Sequence, residues 1–145
     1  RYPCVLLLHG LTSSKEMMSG LFGRALADQG IASLALDIGM HGERRKPGEM
    51  PRGGPALATA MRSGIVEYRQ ALDWLAARPD VDPRRIGLIG YSLGSMMGSI
   101  LAAVEPRIGA VVLCVGGDMF RGLGKDLPPA GREAIAYISP SLYIG

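Results

Sequence analysis

Residues 84–106 read RRIGLIGYSLGSMMGSILAAVEP, and they decide the fold. The run Ile86–Gly90 is short, apolar and ends in glycine, which predicts a buried β-strand. After Ser92 the apolar residues recur at the spacing of one helix face, until Pro106 ends the helix. These residues are Leu93, Met96, Met97, Ile100, Leu101 and Val104. Ser92 is therefore predicted to lie where a strand turns sharply into a helix.

Two glycines flank this serine in the pattern Gly90-Tyr91-Ser92-Leu93-Gly94. A sharp strand-to-helix turn strains its central residue and leaves no room for side chains two positions away on either side. The hydroxyl is then presented at the carboxyl end of the sheet, in front of a helix N-terminus. A chain with 21 glycines in 145 residues can contain this pattern by chance. The strand before it and the helix after it favour a nucleophile elbow.

The other segments alternate between strands and helices. Strands are predicted at 4–10, 31–37 and 108–117, helices at 13–30 and 57–78, and a short helix near 132–137. Ser13 and Glu16 have the spacing of a capping box, and Gly30 is a natural helix end. The strands are apolar throughout, as in sheets covered on both faces. The order predicts one α/β domain over 1–145, a three-layer parallel sheet with helices on both faces.

Composition argues against several function classes. Hydrophobic residues make up 48% of the chain, but no apolar run reaches the length of a membrane span and no basic-then-apolar leader is present. The net charge is only +3, and the basic stretch 42–54 contains glutamates and no aromatic residue. That composition favours a solvated loop over a nucleic-acid site. The sequence has no nucleotide-binding glycine motif and no Cys/His cluster. We therefore expect no cofactor, no metal, no nucleic acid and no membrane partner.

Three linked motifs resemble the α/β-hydrolase fold, and most closely its small esterases of the dienelactone hydrolase, acetyl esterase and cinnamoyl esterase type. They are LLLHG at 6–10, LALDIGMHG at 34–42 and VDPRRIGLIGYSLGS at 81–95, and the likeness covers nearly the whole chain. The resemblance implies that Ser92 attacks a small carboxylic ester and forms an acyl-enzyme. It also implies an oxyanion hole from the backbone N–H groups of Leu93 and Leu11, with Thr12 as the alternative to Leu11.

The same resemblance implies structural roles for both histidines. His9 would shape the oxyanion loop. His41 lies in a turn similar to D-x-x-G-H-G-x-S, although Met40 stands where that pattern has glycine and Arg44 where it has serine. Asp37 is expected to cap this turn. A role for His41 as the catalytic base is the less favoured interpretation.

The catalytic acid and base of the family follow the nucleophile in the chain. No histidine follows Ser92. Asp118 comes directly after the last predicted strand, where some relatives have the acid, but an aspartate that caps a turn is the favoured interpretation. The chain also starts at Arg1 rather than at methionine. We therefore expect the central part of a serine hydrolase, incomplete at both ends. The alternative is a non-catalytic module that acts, if at all, through a partner.

The resemblance also predicts where the two cysteines lie. It places the strand before Ser92 between the strands of Cys4 and Cys114, about 10 Å apart, beyond the roughly 7 Å limit for a disulfide. Two free thiols indicate a reducing compartment, so a cytoplasmic location is expected. Strand 108–115 would form an edge of the sheet. An apolar edge tends to recruit another chain, so self-association through 108–115 is expected.

Overall fold

The structure is a computed structural model that describes residues 1–48, 54–118 and 126–143. Its four parallel strands have the order β2-β1-β3-β4 and comprise β1 (Tyr2–Leu8), β2 (Ala32–Ala35), β3 (Val81–Tyr91) and β4 (Ile108–Cys114). The helices are α1 (Lys15–Met18), α2 (Arg24–Asp28), α3 (Gly54–Ala77), α4 (Leu93–Val104) and α5 (Pro129–Ala136). A π-helical turn, Ser19–Gly23, joins α1 to α2, and 3-10 turns span Gly42–Arg44 and Pro140–Leu142.

Helices cover both faces of this sheet. Side chains alternate between the two faces along each strand, so Leu6 and Leu8 point one way and Leu7 points the other. The first two join the main core with Leu88 and with the apolar stripes of α3 and α4. Leu7 is fully buried outside that cluster, and α1 and α2 contact β1 and β2. The predicted three-layer α/β architecture is therefore confirmed.

The first helix differs from its predicted form. Its N-cap is Ser14, whose side chain forms no capping hydrogen bond, so the predicted capping box of Ser13 and Glu16 is wrong. A π-helical turn holds an extra residue, which rotates the side chains that follow it. Met18, just before this turn, is buried, whereas Leu21, within it, is 61% exposed. The helix ends at Asp28, and Gly30 follows two residues later with a φ of +70°, the left-handed conformation of the residue just past a helix end.

The two longer helices follow the predicted pattern closely. In α3 the buried residues include Met61, Tyr68, Leu72 and Leu75, and in α4 they include Met96, Met97, Ile100 and Leu101. Helix α3 begins at Gly54, three residues before the predicted start at Leu57. Residues 49–53 of the predicted loop lie outside the described residues. Among the helices of the described ranges, none combines the length and the apolar character needed to cross a membrane.

The strand order explains the state of both cysteines. Strand β3 lies between β1, which carries Cys4, and β4, which carries Cys114, and both thiols are free as predicted. Cys4 is buried, but Cys114 is only half-buried because β4 is an edge strand. On the same strand Val112 and Leu113 are 53% and 41% exposed. The described residues thus contain an apolar edge strand that is covered incompletely.

Candidate active site

Ser92 forms the turn between β3 and α4, and its backbone is strained. Its φ is +52° and its ψ is −112°, a conformation that costs a non-glycine residue about 1–3 kcal/mol. Its N–H donates to the Cys114 carbonyl at 2.8 Å, and its own carbonyl accepts from the Ser95 N–H at 2.9 Å. Groups on β4 and α4 thus hold Ser92 in this conformation. The structure contains the sharp strand-to-helix turn that the sequence predicts at this position.

The two flanking glycines are required by close backbone contacts. A Cβ atom at Gly94 would lie 2.5 Å from the carbonyl carbon of Leu8 and 2.8 Å from the carbonyl oxygen of His9. A Cβ atom at Gly90 would lie 2.7 Å from the carbonyl carbon of Gly94. Backbone atoms cannot move aside as the end of a flexible side chain can. The first turn of α4 is therefore pressed against the ends of both β1 and β3.

The loop after β1 lies beside the elbow. A Cβ atom at Gly10 would be only 3.3 Å from the Ser92 Cβ atom. Leu11 and Thr12 form a turn that the bond from the Ser13 N–H to the Gly10 carbonyl closes at 3.2 Å. Leu93 is the first residue of α4, where N–H groups have no acceptor within the helix. Ser92 and Leu93 thus lie at the carboxyl end of the sheet, beside the loop that contains Leu11.

His9 holds that loop against the neighbouring turn. Its ring is fully buried, and the Ile38 N–H donates to its Nε2 atom at 3.0 Å. Its Nδ1 atom lies 2.8 Å from the Gly10 carbonyl oxygen, so Nδ1 carries the proton of a neutral imidazole. Burial lowers the pKa of His9, although the bond to Gly10 opposes this effect. Because both ring nitrogens are occupied, His9 is in a loop-shaping position rather than in that of a base.

His41 is also buried. Its Nδ1 atom lies 2.9 Å from the Gly39 carbonyl oxygen, and its ring centroid is 5.1 Å from that of His9. Its buried Nε2 atom has no hydrogen-bond partner within the described ranges. His41 therefore packs beneath the turn with His9.

Asp37 caps this turn, as predicted, and it also caps α1. Its carboxylate accepts from the Glu43 N–H at 3.1 Å and from the Lys15 N–H at 2.8 Å. Burial raises the pKa of Asp37, but these bonds and the Lys15 ammonium outweigh it, so the pKa lies below its ordinary value. One buried carboxylate thus ties the start of α1 to the turn at 42–44, which is why the local capping box is not used.

Both departures from the family pattern fit into this turn. Met40 occupies the glycine position with a φ of +67°, which strains a residue that has a side chain. Arg44 occupies the serine position. Its guanidinium donates to Glu67 on α3 at 2.8 Å and to the Asp37 carbonyl at 2.9 Å. Arg44 therefore ties the turn to α3 by an ion pair with Glu67.

A pocket of about 370 Å³ opens beside Ser92. Its other lining residues are Met96, Val115, Gly116, Gly117 and Asp118. This volume lies within the usual range of small-molecule sites. The Asp118 carboxylate accepts from the Ser141 N–H at 3.1 Å and from the hydroxyls of Ser139 and Ser141. Asp118 therefore caps the 3-10 turn at 140–142, as the favoured interpretation expected, while it also lines the pocket.

Sequence reasoning missed Ser95. Its side chain is fully buried, and its hydroxyl lies 2.7 Å from the Gly90 carbonyl oxygen and 2.6 Å from that of Cys114. A signal was present, since Ser95 is a polar residue directly before the buried pair Met96 and Met97. One partner of the hydroxyl, the Cys114 carbonyl, lies on a strand far along the chain, so this hydrogen bond could not be predicted from the local sequence.

The geometry agrees with the comparisons to known proteins. Residues 3–139 match the family model of the alpha/beta hydrolase fold, and the chain belongs to this family. It is 31% identical over 127 residues to the uncharacterized protein PA2218 of Pseudomonas aeruginosa, and 27% identical over 135 residues to the esterase YjfP of Escherichia coli. These matches cover 86% and 92% of this chain.

A solved structure shows the same fold. The acetyl xylan esterase 1 of Thermoanaerobacterium superposes with a TM-score of 0.68 at 19% identity, over 99% of this chain and 56% of that protein. The chain spans 32% of the length of PA2218 and 53% of the length of YjfP. The family and its esterase-named relatives support a hydrolase.

Proposed function

We propose that the protein is a serine hydrolase that cleaves a small carboxylic ester through an acyl-enzyme on Ser92. The observation on which this rests is the strained conformation of Ser92 at the carboxyl end of the sheet, beside the Gly10 loop. Strain of this size persists only where surrounding contacts maintain it, and it is concentrated at functional sites. The family membership and the esterase-named relatives support the same reaction class.

In the proposed reaction the Ser92 hydroxyl oxygen attacks the ester carbonyl carbon and loses its proton to a base. The carbonyl electron pair moves onto oxygen, and the N–H groups of Leu93 and of Leu11, or Thr12, stabilise that charge. Expulsion of the alcohol leaves the acyl group on Ser92, and attack by water then releases the acid. The base passes the serine proton to the departing alcohol. In the second half it takes a proton from the attacking water and gives it to the Ser92 oxygen as the acid leaves.

The base is proposed to come from outside residues 1–145. His9 and His41 are the two histidines of the sequence. Both ring nitrogens of His9 are hydrogen-bonded, and His41 is buried with its Nδ1 atom bonded to the turn backbone. A serine hydroxyl without a base is a weak nucleophile at neutral pH.

A fluorophosphonate probe followed by peptide mapping tests this proposal. We expect the intact protein to be labelled on the peptide that contains Ser92, and Ser92→Ala to lose both labelling and ester turnover by several orders of magnitude. Ser63→Ala is the matched control, because Ser63 is an exposed serine on α3, and it should keep full labelling. A folded protein that takes no label at Ser92 would refute the proposal and favour the non-catalytic module.

A further inference from the structure

The Ser95 hydroxyl connects three elements that meet at the elbow. Ser95 lies in the first turn of α4, and its Oγ atom is 2.7 Å from the last-but-one carbonyl of β3, that of Gly90. It is also 2.6 Å from the carbonyl of Cys114, the last residue of β4. One hydroxyl proton is thus shared between two carbonyl oxygens. The side chain links the ends of two neighbouring strands to the helix that follows the nucleophile.

These bonds surround Ser92. The Cys114 carbonyl that accepts from the Ser95 hydroxyl also accepts from the Ser92 N–H at 2.8 Å. The Ser95 N–H donates to the Ser92 carbonyl at 2.9 Å, and Gly90 lies two residues before Ser92. Ser95 therefore forms hydrogen bonds with the Ser92 carbonyl, with the Gly90 carbonyl two residues before it, and with the Cys114 carbonyl that also accepts from the Ser92 N–H. A residue held at positive φ needs such surrounding contacts to stay there.

Ser95 and Ser99 use their hydroxyls differently. Ser99 donates to the carbonyl four residues earlier in its own helix, that of Ser95, at 2.9 Å. Ser95 lies in the first turn of α4, where the residue four positions earlier belongs to β3, and its hydroxyl bonds to carbonyls of β3 and β4. A Cβ atom at Gly116 would lie 2.8 Å from the Ser95 Cβ atom, so Gly116 packs directly against the Ser95 side chain.

We propose that Ser95 is a positioning residue that holds Ser92 in its reactive orientation through the carbonyl groups of Gly90 and Cys114. The inference rests on the proposed function of Ser92. Ser95 does not touch the substrate and takes no part in proton transfer. Its loss should therefore slow the attack by Ser92 without changing how the substrate binds or which groups titrate.

The test compares Ser95→Ala with Ser99→Ala in the intact protein. Both changes remove one buried hydroxyl from α4, and the Ser99 bond lies one turn further from the elbow. We expect Ser95→Ala to lower kcat and the rate of fluorophosphonate labelling roughly fivefold to tenfold, the size of one lost hydrogen bond. KM should change less than about twofold, and the pKa values of the pH–rate profile should stay in place. Ser99→Ala should stay within about twofold of the parent on every measure.

Thermal unfolding of each variant is measured first, and kinetics are recorded well below every melting temperature. If Ser95→Ala does not fold, Ser95→Cys replaces it, because a thiol is a weaker donor and should lower kcat by a smaller factor. An unchanged kcat in Ser95→Ala, equal losses in both alanine variants, or a change confined to KM would overturn the inference. Ser92→Ala separates the two proposals. If Ser92→Ala keeps its activity, the proposed function has failed. If Ser92→Ala is inactive but Ser95→Ala is unaffected, only the positioning role is refuted.

Discussion

Glu105→Gln should destabilise the protein strongly at neutral pH and hardly at all in strong acid. Glu105 follows α4 and is 3% exposed. Its carboxylate accepts from Arg107 at 2.7 Å and 2.6 Å and from Arg69 on α3 at 3.5 Å. Arg107 also donates to Asp73 on α3 at 2.7 Å. The carboxylate therefore joins the end of α4 to the side of α3.

The size of the effect follows from the pKa of this group. The bonds from Arg107 lower the pKa of Glu105 from 4.5 to about 2, against the opposing effect of burial. At 1.36 kcal/mol for each pH unit, this difference corresponds to about 3 kcal/mol of folding free energy. Because the pKa is lower in the folded state, this stabilisation is complete above pH 4.5 and is lost as the pH falls towards about 2. Glutamine cannot ionise, so the variant lacks this contribution at every pH.

The assay is urea unfolding followed by circular dichroism, at pH 7 and at several values down to about pH 2. We expect Glu105→Gln to be about 3 kcal/mol less stable at pH 7, and the difference from the parent to shrink as Glu105 protonates. Glu133→Gln is the control, since Glu133 is exposed on α5 and should change stability little. Equal stability of Glu105→Gln and the parent at pH 7, or a difference that does not shrink in acid, would refute the reasoning.

Three further predictions concern the elbow, the turn and the edge strand. Gly94→Ala should lower the free energy of unfolding by several kcal/mol and abolish labelling of Ser92, because its Cβ atom would meet the backbone of β1. Gly20→Ala is the control: a Cβ atom there has nothing within 4 Å, so the change should be neutral or stabilising. A stable, fully labelled Gly94→Ala would contradict the geometry. Met40→Gly should raise the melting temperature or leave it unchanged, because it relieves a positive φ, and a clear loss would show that the Met40 side chain outweighs the strain. The 145-residue chain by itself should associate through 108–115 and turn over simple esters far more slowly than ordinary esterases, and Val112→Lys should weaken the association. Monomeric sedimentation together with ordinary esterase turnover would contradict both halves and make His9 or His41 the base.

Most of the fold could be predicted because its signals are local. The buried stripe of α4 follows from helical spacing, and the strand before Ser92 follows from a short apolar run. The elbow can be recognised from the glycine spacing within five residues, although the backbone atoms that exclude a side chain at Gly94, those of Leu8 and His9, are distant in the chain. The free thiols followed from the order of strands in the sheet, which the family resemblance supplied and which the pairing of β3 with both β1 and β4 confirms.

What could not be predicted depends on partners that are distant in the chain. Asp37 caps α1 from 22 residues away, and this displaced the capping box expected from Ser13 and Glu16. The π-helical turn was likewise not predicted, and Leu21, which lies within it, is 61% exposed.

The sequence by itself determined the order of strands and helices along the chain and the position of the nucleophile candidate, because periodicity and glycine spacing are patterns of near neighbours. Only the tertiary structure decided which partner each polar group has for its hydrogen bonds. The Ser95 hydroxyl reaches a carbonyl 19 residues later, and Glu105 meets an arginine 36 residues earlier. A hydrogen bond needs its two atoms within about 3 Å, and that proximity is created by packing of the sheet against its helices rather than by spacing along the chain.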